Sequence, residues 1–326
     1  MITEPDKAFI MGGTWRIPVL TGLQSKNFIQ DLKDDGSFND AAFSREYESQ
    51  WSGSSEDAFF QGESFDKNRE LQKPEYEYSG RSSAQSYYVI SFDVGRKGCD
   101  SVATVLKTTP QPMGDSITSL VNVYSLSNEH FKYQAIKLKQ LYYKYKARRL
   151  VIDANGVGLG FVDFMVMPQE DPLTGDVYPD FGVYNDDEGF YNKFKTKQTE
   201  QNAMYLMKAN APINSDAHSN VQARLNAGKL KFLIDERDAK NKLLGTKVGQ
   251  AMTPEQRAEY LRPFTLTSIL KEEMMNLREE NEGLNINLKQ ANKKIRKDKF
   301  SAFEYGLYYI KHEEENKKKK KFKASD

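Results

Sequence analysis

Three aspartates stand where chemistry is possible. "YYVISFDV" ends an apolar run on Asp93, "RRLVIDA" ends another on Asp153, and Asp298 opens "DKFSAFEYGLYYIKHEEE". An apolar core rejects an unpaired charge, so a carboxylate that closes a buried-looking strand calls for a reason. If the strands ending on Asp93 and Asp153 lie side by side and parallel, their ends meet at one edge of a sheet. A helix starting at Asp298 can reach the same edge. Carboxylates gathered there raise one another's pKa values, and a divalent cation relieves the repulsion. Two such cations about 3.5–4 Å apart activate a water and stabilise the leaving oxygen of a phosphodiester. Asp93, Asp153 and Asp298 are therefore the candidate catalytic and metal-ligating residues. Each has a plainer alternative, since an aspartate at a strand end or helix start is also a turn former or cap.

Composition narrows the metal. The 326 residues contain one cysteine, Cys99, and 3 histidines. That leaves no internal disulfide and too few soft ligands for a structural zinc site. Oxygen ligands favour Mg2+ or Mn2+, and one cysteine suits a reducing compartment. No apolar run approaches the ~18 residues of a membrane helix. The start "MITEPDKAFI" lacks the pattern of a secretory signal. The formal net charge is +1, but the charges are unevenly spread. Residues 31–80 hold 13 acidic and 5 basic side chains, whereas residues 289–326 hold 13 basic and 6 acidic. A basic rear can meet a polyanion; the alternative for "KKKKKFK" is a solvated tail.

These residues need a scaffold. "YYVISFDV" and "SVATVLKT" flank the tight turn "GRKGCD" and read as an antiparallel hairpin. "SITSLVNVYSLS" is a third strand. "NEHFKYQAIKLKQLYYKYKA" is a helix, with Phe131, Ala135, Leu138, Tyr142 and Tyr145 at helical spacing. "RRLVIDA" is a fourth strand, and "NGVGLGFVDFMV" opens a helix carrying Asp163, read as structural. Between Met167 and Phe194 the turn residues predict a strand near "FGVYN" and an exposed loop or hairpin. "KQTEQNAMYLMKANA" and "AHSNVQARLNAG" are expected as helices and "KLKFLID" as a strand. "TLTSILKEEMMNLREE" is expected as a helix, "LNINLKQ" as a strand, and the segment from Asp298 as the last helix.

The first 80 residues read differently. "GGTWRIPVLTGL" predicts a turn and a short strand. "DDGSFNDAAFSREYESQWSGSSEDAFF" predicts a turn, a helix capped by Asn39 or Ser37, and a loop. "QKPEYEYSGRSSAQS" reads as a linker, which places a domain boundary near residue 80. "NGVGLG" fails the G-x-G-x-x-G register of a dinucleotide turn, and no G-x-x-x-x-G-K-[ST] loop occurs.

Four segments in this order, "SREYESQWSGSSEDAFF", "FDVGRKGCDSVATVLK", "RLVIDANGVGLGFVDFM" and "KDKFSAFEYGLYYI", resemble the large terminase subunit of tailed bacteriophages. The resemblance implies an α/β fold: an RNase H-like mixed sheet flanked by helices, with residues 1–80 as a remnant of the ATPase motor and linker and 81–326 as the nuclease. It implies cutting of concatemeric double-stranded DNA during genome packaging, with two Mg2+ or Mn2+ ions. Implied partners are the motor domain, the portal protein and the small terminase subunit, in the cytoplasm of an infected bacterium. By position, Asp93, Asp153 and Asp298 match the family's metal ligands. Lys297 and Lys299 flank the third, leaving a fourth ligand open. Asp100 fixes the first hairpin or faces the metals. Lys193, Lys195 and Lys197 fall in or just after the 168–194 region, where relatives carry a loop near the cleft. There they would hold DNA backbone or serve as ordinary surface lysines. The rival readings are another RNase H-like nuclease, such as a junction resolvase, and a docking module with little activity of its own.

Overall fold

The computed structural model describes residues 13–30, 47–48, 57–80, 85–95, 100–112, 114–126, 130–282 and 285–323. Its strands in chain order are β1 (Arg69–Leu71), β2 (Tyr87–Asp93), β3 (Ser101–Thr109), β4 (Ile117–Leu126), β5 (Arg149–Asp153), β6 (Gln169–Glu170), β7 (Val177–Tyr178), β8 (Phe181–Val183), β9 (Glu200–Met207), β10 (Leu230–Leu233), β11 (Leu277–Glu282) and β12 (Asn285–Gln290). The helices are α1 (Arg16–Leu20), α2 (Gly62–Lys67), α3 (Phe131–Tyr145), α4 (Val157–Met165), α5 (Ala211–Asn226), α6 (Glu236–Leu244), α7 (Lys247–Ala251), α8 (Pro254–Met275) and α9 (Asp298–Lys323).

Eight strands form one sheet in the order β1-β10-β4-β3-β2-β5-β9-β8. β2, β3 and β4 are an antiparallel meander, while β5, β9 and β8 continue parallel from β2. The central five strands therefore run third, second, first, fourth, fifth, with only the second reversed. That is the RNase H-like arrangement the sequence resemblance implied.

Alternation along the strands builds two cores. Val89 and Val151 join Val102 and Leu106 under Phe300, Phe303 and Leu307 of α9. Ile90, Leu150 and Ile152 join Leu138, Leu141 and Tyr145 of α3 and Phe161 and Val162 of α4 on the opposite face. Both faces are covered, which is why β2 and β5 are continuous apolar runs. The same period of two puts Asp93 and Asp153 on the α9 face.

Helix α9 reaches the sheet because of Gly306. A side chain there would place Cβ 2.6 Å from Leu106 Cδ1 and 2.9 Å from Ser91 Cβ. Thr104 Oγ1 donates to the Ala302 carbonyl at 3.1 Å, tying the helix to β3 one turn earlier.

Four expectations are corrected. "KQTEQNAMYLMKANA" forms strand β9 between β5 and β8 rather than a helix. Its Met, Ala and Leu favour helices, but Ala203, Met204, Leu206 and Met207 are buried between two layers and the strand pairs on both sides. Asn202, at φ 55, marks the irregularity in its pairing with β8. "RIPVL" is the short helix α1, not a strand. "NLREE", placed at the end of a helix, leaves α8 and becomes β11, hairpinned to β12.

The boundary near residue 80 also moves. Phe60 and Phe65 are buried in the α9-side core, Phe65 stacks on Phe232 at 3.9 Å, and β1 pairs with β10. Glu75 bonds Tyr88 and pairs with Lys107 at 2.7 Å. Residues 58–78 thus belong to the main unit. Most of the helix expected within 34–60 lies outside the described residues.

The 168–194 region holds the β6–β7 hairpin, strand β8 and a 3-10 turn, Phe190–Phe194. No helix among the described residues is long and apolar enough to cross a membrane.

Candidate active site

The register of the parallel pair decides the first contact. Phe92 lies opposite Ile152, so Asp93 and Asp153 are the next residues on neighbouring strands, whose backbones stand about 4.8 Å apart. Asp153 is held by the turn on its C-terminal side. Its Oδ1 accepts from the Asn155 N–H at 3.0 Å, and Ala154 N–H donates to the Met207 carbonyl of β9. The chain then turns at Gly156, with φ +53, and α4 begins. At Gly158 an added Cβ would lie 1.7 Å from the Asp153 carbonyl oxygen. The glycines of "NGVGLG" thus let the helix start against the strand that ends on Asp153. Gly158→Ala is expected to cost about 1–3 kcal/mol in denaturant unfolding, as overpacking does. It should also weaken any activity that depends on Asp153.

Asp298 is the first residue of α9, seated at this sheet end by the Gly306 and Thr104 contacts. Arg296 Nη1 lies 3.9 Å from its carboxylate. A fourth acid, Glu273 of α8, is 2% exposed. It accepts from the Phe300 N–H at 2.9 Å and pairs with Lys299 Nζ at 3.3 Å.

Electrostatics ties the four together. Burial, first, and then Asp298, Asp153 and Glu273 push the Asp93 carboxyl up to about 8, against the opposing pull of Lys297. Burial raises Asp153, and the Asn155 N–H opposes it. Burial also raises Asp298, with help from Asp100, against Lys299, Arg296 and Lys297. Glu273 is pushed up to about 7 by burial, opposed by Lys299 and the Phe300 N–H and reinforced by Asp298. Tyr305, whose hydroxyl lies 3.4 Å from Asn214 Oδ1, is raised by burial and by Glu304, Asp153 and Asp93. Asp93 and Asp153 thus end neighbouring strands on one face, and Asp298 is near enough to act on Asp93.

Asp100 stands at the rim. It precedes β3, accepts from Ser125 Oγ at 3.0 Å, and is felt by Asp298. Ser125 lies on β4, so the bond ties the start of β3 to β4 rather than to the other strand of the first hairpin. Asp163 is exposed on α4, near Tyr191. Lys193, Lys195 and Lys197 are exposed beside the 3-10 turn. Lys193 Nζ lies 4.1 Å from the centroid of the Phe190 ring, and Asp186 accepts from the Phe190 and Tyr191 N–H groups. That turn comes after the carboxyl end of β8, where Asn185 bonds both backbone groups of Leu206.

Sequence reasoning did not find Glu273. It sits in the last turn of α8, in "KEEMMNL", and only the packing of α8 against α9 brings it here, so no local signal marks it.

The donors are all carboxylate oxygens, which suits a hard divalent cation. Among the described residues, no three His, Cys, Asp or Glu side chains already stand at metal-holding distances.

Fold and site define a class: an RNase H-like α/β domain with a carboxylate-rich sheet edge beneath a helix start. No protein-family model matches the chain, and no curated protein matches it. Among solved structures it is similar to the large terminase nuclease from thermophilic phage G20c with bound magnesium, at 13% identity and TM-score 0.42, over 78% of this chain and 97% of that one. The same nuclease with bound cobalt gives 13% and 0.43 over the same shares. The HK97 bacteriophage large terminase gives 7% and 0.42, over 90% of this chain and 52% of that one. At such identities and scores the likeness assigns no activity.

Proposed function

We propose that this chain is a divalent-metal-dependent DNA endonuclease, the nuclease part of a terminase large subunit that cuts concatemeric viral DNA during packaging. The observation that carries the reading is the meeting of Asp93 and Asp153 on adjacent parallel strands and one face, with Asp298 delivered to them by α9. Asp93, Asp153 and Asp298 would hold the cations, Mg2+ or Mn2+, two in number. When bound, these ions supply an activated water and a clamp on the leaving oxygen.

The chain's own residues do the rest. Burial and mutual repulsion make the carboxyls poor anions by themselves, so the edge binds protons or cations in preference to staying bare. Lys297, Lys299 and Arg296 offset part of the charge without neutralising Asp93. The motor domain, portal and small subunit are the partners this reading assigns, with double-stranded DNA as substrate.

The test is nicking of supercoiled plasmid. Cutting is expected with Mg2+ or Mn2+ and is expected to stop with chelator; metal-independent cutting, or none with either ion, counts against the reading.

Lys193, Lys195 and Lys197 are assigned to the DNA backbone. Replacing all three with Gln is expected to weaken binding equally for unrelated sequences. It should also lower the slope of log affinity on log salt by about 0.9 per lost phosphate contact. Unchanged salt dependence would return them to ordinary surface residues.

A further inference from the structure

We infer that Glu273 is a positioning residue that seats the first turn of α9 and so presents Asp298 to Asp93 and Asp153. The inference rests on the metal-dependent reading above.

The first N–H groups of a helix have no partner within it. In α9 the Phe300 N–H is served from another helix, by Glu273 Oε2 at 2.9 Å. The neighbouring oxygen, Oε1, takes Lys299 Nζ at 3.3 Å. Both contacts are buried: Lys299 is 8% exposed and Phe300 1%. One carboxylate thus grips the two residues directly after Asp298. A negative group at a helix N-terminus also complements the helix dipole. Asn276, at the end of α8, adds a nearby tie through its side-chain amide to the Asn292 and Ile295 carbonyls, fixing the approach to α9. With Gly306 and Thr104 holding the helix lower down, Glu273 sets the height of its first turn. Its carboxylate is committed to Lys299 and the Phe300 N–H.

The test is a double-mutant cycle read by thermal melting across an Mn2+ titration, in the full chain. Glu273→Ala is expected to raise the Mn2+ concentration for half-maximal stabilisation about tenfold, the size typical when a group supporting a metal ligand is lost. In an Asp298→Asn background the same change should move that midpoint less than about twofold, because a group acting through Asp298 has nothing left to position. Glu273→Gln keeps an oxygen for the Phe300 N–H and should restore most of the response.

A midpoint for Glu273→Ala within about twofold of the parent overturns the inference. An equal shift in both backgrounds also overturns it, since that is what long-range loss of charge, or direct ligation independent of Asp298, would produce. Should the alanine variant fail to fold, Glu273→Asp decides: it keeps the charge and retracts the carboxylate by one methylene, so a raised midpoint is expected and an unchanged one overturns the proposal. A parent that does not respond to Mn2+ overturns this inference together with the nuclease reading, whereas a responding parent with indifferent variants overturns this inference alone.

Discussion

Asp93→Asn and Asp153→Asn are each expected to nick plasmid at least about 100-fold more slowly than the parent at saturating Mg2+. Lewis-acid stabilisation of a phosphoryl transition state is worth several kcal/mol, and about 3 kcal/mol corresponds to roughly two orders of magnitude in rate. An amide keeps the shape of the carboxylate and loses its charge, so the sheet and its register should survive. The two substitutions should be far from additive, because both act on one shared site. Circular dichroism and a cooperative melt establish that the variants fold; initial nicking rates then decide. Rates within about threefold of the parent for both variants would remove Asp93 and Asp153 from the site.

The same Asp93→Asn change has an opposite effect on stability. Asp93 titrates at about 8 in the folded chain, against roughly 3.9 for a free aspartate. A folded pKa raised in this way contributes stability that is fully present below about pH 4 and is lost as pH rises through about 8. In chelator, therefore, the parent should become progressively less stable between these limits, because the unfolded chain's Asp93 gives up its proton while the folded one, beside Asp298, Asp153 and Glu273, keeps it. Asparagine is neutral throughout. At pH above about 8, Asp93→Asn should exceed the metal-free parent by on the order of 2 kcal/mol, allowing for solvent screening of a group at the sheet edge. For a chain of this size that is about 5 °C in Tm. Millimolar Mn2+ should reverse the ranking, since a ligand that binds only the folded state stabilises it and the variant has lost a ligand. Melting curves at about pH 5 and pH 9, with chelator and with Mn2+, read both effects. A metal-free variant that melts below the parent at the higher pH would show that Asp93 is not a strained acid.

Much of the scaffold was legible because it is local. β2 and β3 are joined by too short a connection to be anything but antiparallel. The helical spacing of Phe131 to Tyr145 survives as α3, and the glycines after Asp153 announce the turn into α4. β9 was not legible, because its residues prefer helix when alone and become strand only between β5 and β8. Residues 58–78 fall within the stretch read as motor remnant and linker, since Phe60 and Phe65 carry no mark of the partners, Phe300 and Phe232, that bury them.

Residue order was enough to show which acids end apolar strands, that any metal site must be built from oxygen, and that Asp93 and Asp153 share a side-chain parity with their neighbours. It took the packed molecule to show that β2 and β5 lie adjacent in a register that aligns those two acids, that α9 descends on the same face, and that Glu273 joins from α8. Parity and hydropathy are properties of a segment and its nearest neighbours. Convergence depends on contacts between residues far apart along the chain, which only the assembled sheet and its covering helices specify.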